Sequence, residues 1–256
     1  MLIATFNVNS VRSRIDALMR WLPDKKPDFL FMQETKTQDS LFPAAVFASL
    51  GYRSYFCGEK AYNGVAVLVK EGIDDVSVSF GFDDGSFSSR VLTLRHGALK
   101  ILNTYVPQGR EINSTSYTEK KEFLGRVKKI VANERNGLFL WLGDLNVAPT
   151  ADDVTNPENK KNHVCFCEEI RNIFAETREG LTDILRKFDA SPKIYTFYDY
   201  RLKDAVKNGI GWRIDHMLAS EKLAELAEWC RPDVEPRTWV KEKPSDHVPL
   251  LAEFQV

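Results

Sequence analysis

Between Tyr52 and Tyr105 the chain offers five short runs rich in β-branched and aromatic residues: Tyr52 to Phe56, Gly64 to Val69, Val76 to Phe80, Arg90 to Leu94 and Leu99 to Tyr105. Their close succession leaves no room for helical crossovers, so they predict antiparallel meanders. Helical periodicity surrounds them. On one side Ile15, Leu18, Met19 and Leu22 share a helix face with Pro23 as the expected stop, and Ala44 to Leu50 forms a second helix ended by Gly51. On the other side Phe123, Leu124, Val127, Ile130 and Val131 line a long helix from about Ser116 to Asn133, and a further helix is expected near Glu168 to Ala175. Strands are also expected at Leu2 to Val8, Asp28 to Met32, Leu138 to Leu142, Ile194 to Phe197, Arg213 to Leu218 and Val248 to Phe254. Helices set among mostly antiparallel strands predict an α/β fold of two packed sheets flanked by helices. No linker breaks the pattern, so residues 1–256 are expected to form a single domain, with the polar, lysine-bearing stretch Pro149 to His163 as a long functional loop.

A hydrophobic content of 43% supplies a substantial core and excludes global disorder. The net charge of −1 decides nothing about nucleic acid, because a total can hide a basic groove on one face. Cys57, Cys165, Cys167 and Cys230 form no CxxC pair, and no histidine completes a zinc spacing, so reduced thiols in a cytoplasmic chain are expected. The chain opens on a strand-like run without a basic leader, and no apolar stretch reaches membrane-spanning length.

Polar residues recur where the apolar strands stop. Gly143-Asp144-Leu145-Asn146-Val147 follows Leu138 to Leu142, and the alternation of an extended chain points Asp144 and Asn146 the same way. A carboxylate beside an amide suits holding and deprotonating a water molecule; the same residues also read as an Asx turn closing a strand. Asn7, Asn9, Glu34, Tyr105, Asp215 and Asp246-His247 stand at similar ends, and each has a structural explanation of its own. Jointly, carboxylates gathered at sheet edges repel one another unless a hard divalent cation sits among them. Oxygen donors favour Mg²⁺ or Mn²⁺ over zinc.

Seven segments, taken in order, carry a resemblance. They are Phe6-Asn7-Val8-Asn9-Ser10-Val11-Arg12, Gln33-Glu34-Thr35-Lys36, Tyr105-Val106-Pro107-Gln108-Gly109, Gly143 to Pro149, Asn159-Lys160-Lys161-Asn162, Gly211-Trp212-Arg213-Ile214-Asp215 and Ser245-Asp246-His247. From Asn7 to His247 the chain resembles the bacterial exonuclease III family of DNA-repair nucleases and apurinic/apyrimidinic (AP) endonucleases. The resemblance implies a four-layer α/β sandwich, two mixed and largely antiparallel sheets face to face between helices, with the site at one rim. It implies Glu34 as principal metal ligand with Asn7, Asn9 and Asp246 nearby. Asp144 would activate water, Asn146 would position it, and His247, oriented by Asp215, would reach a phosphate oxygen. Tyr105 would lie near the leaving oxygen, and Gln108 would donate to the phosphoryl group. Phe197, Trp212 and Ile214 would form an apolar slot for an abasic sugar. Arg12, Lys36, Asn159, Lys160, Lys161 and Asn162 would contact DNA, with Arg14 a weaker candidate. No base-reading helix is evident, so sequence-neutral binding by a monomer is expected, on double-stranded DNA carrying nicks, 3′-blocked ends or abasic sites.

One position departs from the family's habit. After Asn162 the relatives place a small residue, and here stands His163. An imidazole at that point is expected to obstruct a duplex bent around an internal abasic site while tolerating a frayed 3′ end. That makes a 3′-phosphatase, 3′-phosphodiesterase and 3′→5′ exonuclease with weak AP incision. The alternative is that His163 turns outward and the chain is a full AP endonuclease. Two remoter readings stay open: an inositol-phosphate or sphingomyelin-type phosphodiesterase, and a DNA-binding homologue without catalysis.

Overall fold

The computed structural model describes residues Met1–Val256. Its strands, in chain order, are β1 (Leu2–Asn7), β2 (Phe29–Gln33), β3 (Tyr52–Cys57), β4 (Val65–Lys70), β5 (Val76–Phe80), β6 (Val91–His96), β7 (Leu99–Tyr105), β8 (Leu138–Asp144), β9 (Leu181–Asp183), β10 (Asp215–Ser220), β11 (Ala227–Pro232) and β12 (Leu250–Phe254). They form two six-stranded sheets, ordered β11-β12-β1-β2-β4-β3 and β5-β6-β7-β8-β10-β9. Each sheet is antiparallel except for one pair near its middle, β1 with β2 and β7 with β8.

Side-chain alternation explains the layers. Ile3, Phe31, Val67, Ile101, Leu140 and Met217 point between the sheets and make the central core. Their neighbours point the other way. Ala4, Phe6, Leu30 and Met32 meet Leu18 and Trp21 of α1 (Ile15–Lys25), with Phe47 of α2 (Ala44–Ser49) in the same cluster. On the opposite side Phe139 and Trp141 meet Phe123, Leu124 and Val127 of α3 (Thr115–Glu134) and Phe174 of α4 (Glu168–Thr177). Helix, sheet, sheet and helix thus give four layers, the expected sandwich. Each large side chain so buried contributes about 1.5–3 kcal/mol, which is why the apolar alternation decides the architecture.

The same alternation places the polar strand ends. In β1 the inward positions are Ile3, Thr5 and Asn7; in β8 they are Leu138, Leu140, Leu142 and Asp144. Both parallel pairs end together, with Asn7 opposite Gln33 and Tyr105 opposite Asp144. The gap between the sheets therefore closes, at one rim, on polar groups from four strand ends. Carboxyl ends of parallel strands are where open α/β sheets collect ligands. Gly143 is required there: its φ is +128°, and a Cβ would lie 2.1 Å from the Thr104 carbonyl oxygen.

The structure differs from the sequence expectation at several points. Pro23 does not stop α1, which runs to Lys25 and closes through Lys26, left-handed, whose N–H bonds the Leu22 carbonyl. So near the helix end a proline removes only the bond to the Met19 carbonyl, and Met19, expected on the buried face, is 45% exposed while Ala17 and Trp21 are buried. Ile194 to Phe197 is not a ladder strand. Thr196 and Phe197 both donate N–H groups to the Trp212 carbonyl, while Val248 donates to the Thr196 carbonyl, so the segment is a bridge between the Trp212 and His247 stretches. The short β9 and β11, with α5 (Ile184–Phe188), α6 (Glu221–Glu225) and α7 (Glu235–Thr238), escaped the sequence reading. No helix is long and apolar enough to cross a membrane, and all four cysteines are free thiols.

Candidate active site

At the rim, Asn7 reaches from one sheet to the other. Its Nδ2 donates to Glu34 Oε1 at 2.8 Å and to Asp144 Oδ2 at 2.9 Å, while its Oδ1 accepts the Asn9 N–H at 3.0 Å. Asn7 was expected among the metal ligands; here it faces the carboxylates with nitrogen, and so acts as the neutral clip that lets two buried acids share a site. Asn9 Nδ2 donates to Asp246 Oδ1 at 2.9 Å, and its Oδ1 accepts from Lys36 Nζ at 2.6 Å. Asn9, Glu34, Lys36 and Asn146 all have positive φ, a conformation that non-glycine residues hold only when their surroundings over-determine it. Strain of this kind, gathered at one rim, marks backbone bent to aim side chains.

Asp144 and Asn146 both line the cleft, but not by strand alternation: Asn146 lies beyond the end of β8 at φ +50°, in the Asx turn whose Asn146 N–H donates to Asp144 Oδ1 at 3.0 Å. Asn146 Nδ2 donates to the Val106 carbonyl, which turns its Oδ1 towards Cys165. Burial raises the Asp144 carboxyl above the ordinary carboxylate range, against the lowering pull of His247 and with the charges of Asp215 and Glu34 adding to it. His247 lies beside it, Nε2 3.9 Å from Asp144 Oδ2 and Nδ1 2.8 Å from Asp215 Oδ2. Burial alone would lower the His247 pKa, but Asp215, then Asp144 and Asp246, outweigh it and raise it to about 10. At neutral pH this imidazole is a cation whose free nitrogen points at the buried carboxylate. Burial would likewise raise Glu34, yet Lys36 at 2.6 Å and the Asn7 amide bring it below its usual value.

These residues fit a hard divalent cation. Ligand atoms of Glu34, Asp144 and His247 lie within 4.8 Å of one another. The Lys36 ammonium, 2.6 Å from both Glu34 Oε2 and Asn9 Oδ1, shows that the pocket already favours positive charge. Of the three, His247 is cationic, with its Nδ1 committed to Asp215 and its protonated Nε2 facing Asp144, so the donors left are oxygens: Glu34, Asp144, Asn9 Oδ1 and Asp246.

The cluster opens into a cleft of about 800 Å³ whose lining includes Tyr105, Gln108, Lys160, His163, Phe197 and Trp212. The Tyr105 phenol is raised well above its usual pKa by burial and by the charges of Glu34 and Asp144, with Arg90 stacked 4.5 Å from its ring centroid. Phe197, Trp212 and Ile214 do form an apolar wall, with Ala148, Val154 and Phe166 behind it. His163 does not turn outward: its ring centroid is 4.6 Å from that of Trp212, and its Nδ1 accepts the Cys165 N–H at 3.1 Å. Burial, with Lys160 and Lys120 nearby, lowers its pKa to about 4, so it is neutral at physiological pH. Arg12, Asn159, Lys161 and Asn162 are exposed and stand outside the cleft lining, with Lys161 paired to Glu158 at 2.6 Å. Arg14 donates to the Tyr200 hydroxyl at 2.7 Å.

Sequence reasoning missed the support behind these groups. Arg213 is buried and pairs with Asp153 at 2.6 Å and Asp183 at 2.7 Å, which anchors the Trp212–Asp215 stretch to the loop after β8. Lys120, on α3, has no exposed surface and donates to three loop carbonyls. The available signal was a lysine on the apolar stripe marked by Tyr117, Leu124, Val127 and Val131.

Comparison with known proteins places this geometry. Residues 4–247 match the Endonuclease/Exonuclease/phosphatase family. Exodeoxyribonuclease III of Haemophilus influenzae is 32% identical, with all of both chains covered. Among solved structures, an AP endonuclease from Archaeoglobus fulgidus has a TM-score of 0.93 at 43% identity over the whole of both chains. A 3′ phosphatase from Neisseria bound to a product DNA hairpin has a TM-score of 0.92 at 32% identity, again over the whole of both chains. The chain belongs to the endonuclease/exonuclease/phosphatase family, with exodeoxyribonuclease III among its full-length relatives.

Proposed function

We propose that this protein is a Mg²⁺-dependent DNA-repair nuclease acting on phosphate esters at DNA 3′ ends, as 3′-phosphatase, 3′-phosphodiesterase and 3′→5′ exonuclease. Mn²⁺ can take the place of Mg²⁺. Glu34, with Asn9 and Asp246 nearby, would hold a divalent cation, which when bound would supply Lewis-acid stabilisation of the charge developing on the phosphoryl oxygens. Asp144 takes a proton from water held beside Asn146, the resulting oxygen forms the new bond to phosphorus, and the ester P–O bond on the far side breaks. His247, cationic and fixed by Asp215, donates to a phosphoryl oxygen, and Gln108 adds a second donor. Tyr105 would stand near the departing 3′ oxygen, its protonated phenol giving that oxygen a proton and regaining one from solvent. Both sheets supply these groups, so residues 1–256 act as one catalytic domain.

The observation that carries the 3′-end preference is the His163 ring packed on Trp212 across the apolar slot, 4.6 Å between centroids. A flipped abasic sugar inside a continuous duplex would need that slot; a nicked or frayed 3′ end needs only the rim. Lys36 and Lys160, with exposed Arg12, Asn159, Lys161 and Asn162, are suited to phosphate contacts that do not read sequence. A second reading, full AP endonuclease, is favoured by the likeness to the Archaeoglobus enzyme. His163→Gly separates the two. The 3′-end reading expects incision at an internal abasic analogue to rise about tenfold or more, with 3′-phosphate release within about twofold of the parent. No gain in incision refutes the obstruction by His163.

A further inference from the structure

We infer that Lys120 is a positioning residue that ties together the two connections lining the catalytic cleft, at three backbone points, and so sets the placement of Gln108, Asn146 and His163. This rests on the cleft being the hydrolytic site. Lys120 Nζ has three protons and donates to three backbone carbonyls: Gln108 at 3.0 Å, Asn146 at 2.7 Å and Val164 at 2.8 Å. One carbonyl belongs to the connection from β7 to α3, and the other two stand near the start and the end of the long connection from β8 to α4. Two of the three residues line the cleft themselves, and Val164 lies between His163 and Cys165, which both do. The Asn146 side chain also bridges the two connections, through the Val106 carbonyl and, at 3.9 Å, the Cys165 thiol, but it does so from within one of the segments that Lys120 holds.

The chemistry of the residue excludes a role in packing alone. An ammonium with no exposed surface is a poor filler, and burial lowers its pKa; a methionine or leucine would occupy the same volume without desolvating a charge. What the ammonium supplies is three donors from one point, on a stem that runs close against Gly109, where a Cβ would lie 3.2 Å from Lys120 Cδ. Asn146, at φ +50°, has its peptide oriented from two sides, by its own Nδ2 on the Val106 carbonyl and by Lys120 on its carbonyl. Removal of the cation leaves three carbonyls converging with no donor, and they relax apart. Displacement of about 1 Å at reacting groups is enough to cost on the order of 10²-fold in rate.

The test uses the full chain carrying Lys120→Met, which keeps the stem, and Lys120→Ala, which opens a space for a small amine. Substrate is a nicked duplex with a 3′-phosphate. Parent turnover on the same duplex, run alongside, tests the hydrolytic reading separately. Expected is a fall in kcat of about 30-fold or more in both variants, with KM for DNA changed less than about threefold, because Lys120 touches no substrate. Propylammonium should restore kcat of Lys120→Ala, and tetramethylammonium at equal ionic strength should not. The inference is overturned if a folded variant keeps kcat within about twofold of the parent, if the loss lies in KM alone, or if the two amines act alike. Failure of both variants to fold would overturn it as well, by making Lys120 a determinant of the fold.

Discussion

Replacing Asp144 by asparagine is expected to lower kcat on a 3′-phosphate duplex by about 10²–10⁴-fold at saturating Mg²⁺, with DNA binding retained. The isostere keeps shape and volume and removes the proton acceptor. The amide also meets two donors where the carboxylate met two: Asn7 Nδ2 at 2.9 Å and the Asn146 N–H at 3.0 Å. Only one can be answered by the remaining carbonyl oxygen, which disturbs the clip between the sheets as well. Stability should move the other way. Burial raises the Asp144 pKa, so the ionised carboxylate costs stability at neutral pH, and the uncharged amide is expected to melt at the same temperature or higher. Thermal melts and single-turnover rates measured on one preparation check both halves. A variant within tenfold of the parent would remove Asp144 from the role of base.

Asp215→Asn is the second large expected effect. His247 owes its raised pKa, about 10 despite burial, first to Asp215, with Asp144 and Asp246 behind. A group raised in this way is charged below its folded pKa and loses its charge as pH climbs through it. Without Asp215 the burial that lowers the pKa gains ground, and the imidazole becomes neutral at lower pH. An equivalent carboxylate-to-amide change beside the histidine of a Ser-His-Asp triad costs about 10⁴-fold, and a loss on the order of 10²–10⁴-fold is expected here. The sign of its pH dependence is the sharper test. The ratio of parent to variant kcat should grow from mildly acidic to mildly alkaline pH, because only the parent keeps its cation. A ratio flat across that range would mean that His247 does not act as a cation.

Most of the site was legible because the determinants were local. A strand that alternates apolar residues inward must carry the next inward position past its end, and that rule alone brings Asn7, Asp144 and Asp215 into the gap between the sheets. The polar strand ends showed where charge gathers, and the helical stripes showed which faces are covered. What escaped depends on distant partners. Whether Asn7 presents oxygen or nitrogen is decided by Glu34 and Asp144, which approach it only in the folded chain. His163 lies inward because Trp212, far along the chain, offers its ring and Cys165 offers an N–H. Ile194 to Phe197 has strand-like composition, yet its bonding groups are shared between two neighbours, so no ladder forms. Pro23 breaks helices by rule, but near the end of α1 the rule has little left to break.

One metal-dependent rim is proposed to hydrolyse phosphate esters at DNA 3′ ends. Three labelled duplexes test this most directly, each in Mg²⁺ and in EDTA: a nick with a 3′-phosphate, an undamaged recessed 3′ end, and an internal abasic analogue. Fast phosphate release from the first, trimming of the second, an intact third, and no turnover of any in EDTA are expected. Incision of the internal site as fast as 3′-phosphate release, or turnover that persists in EDTA, would contradict this metal-dependent 3′-end activity.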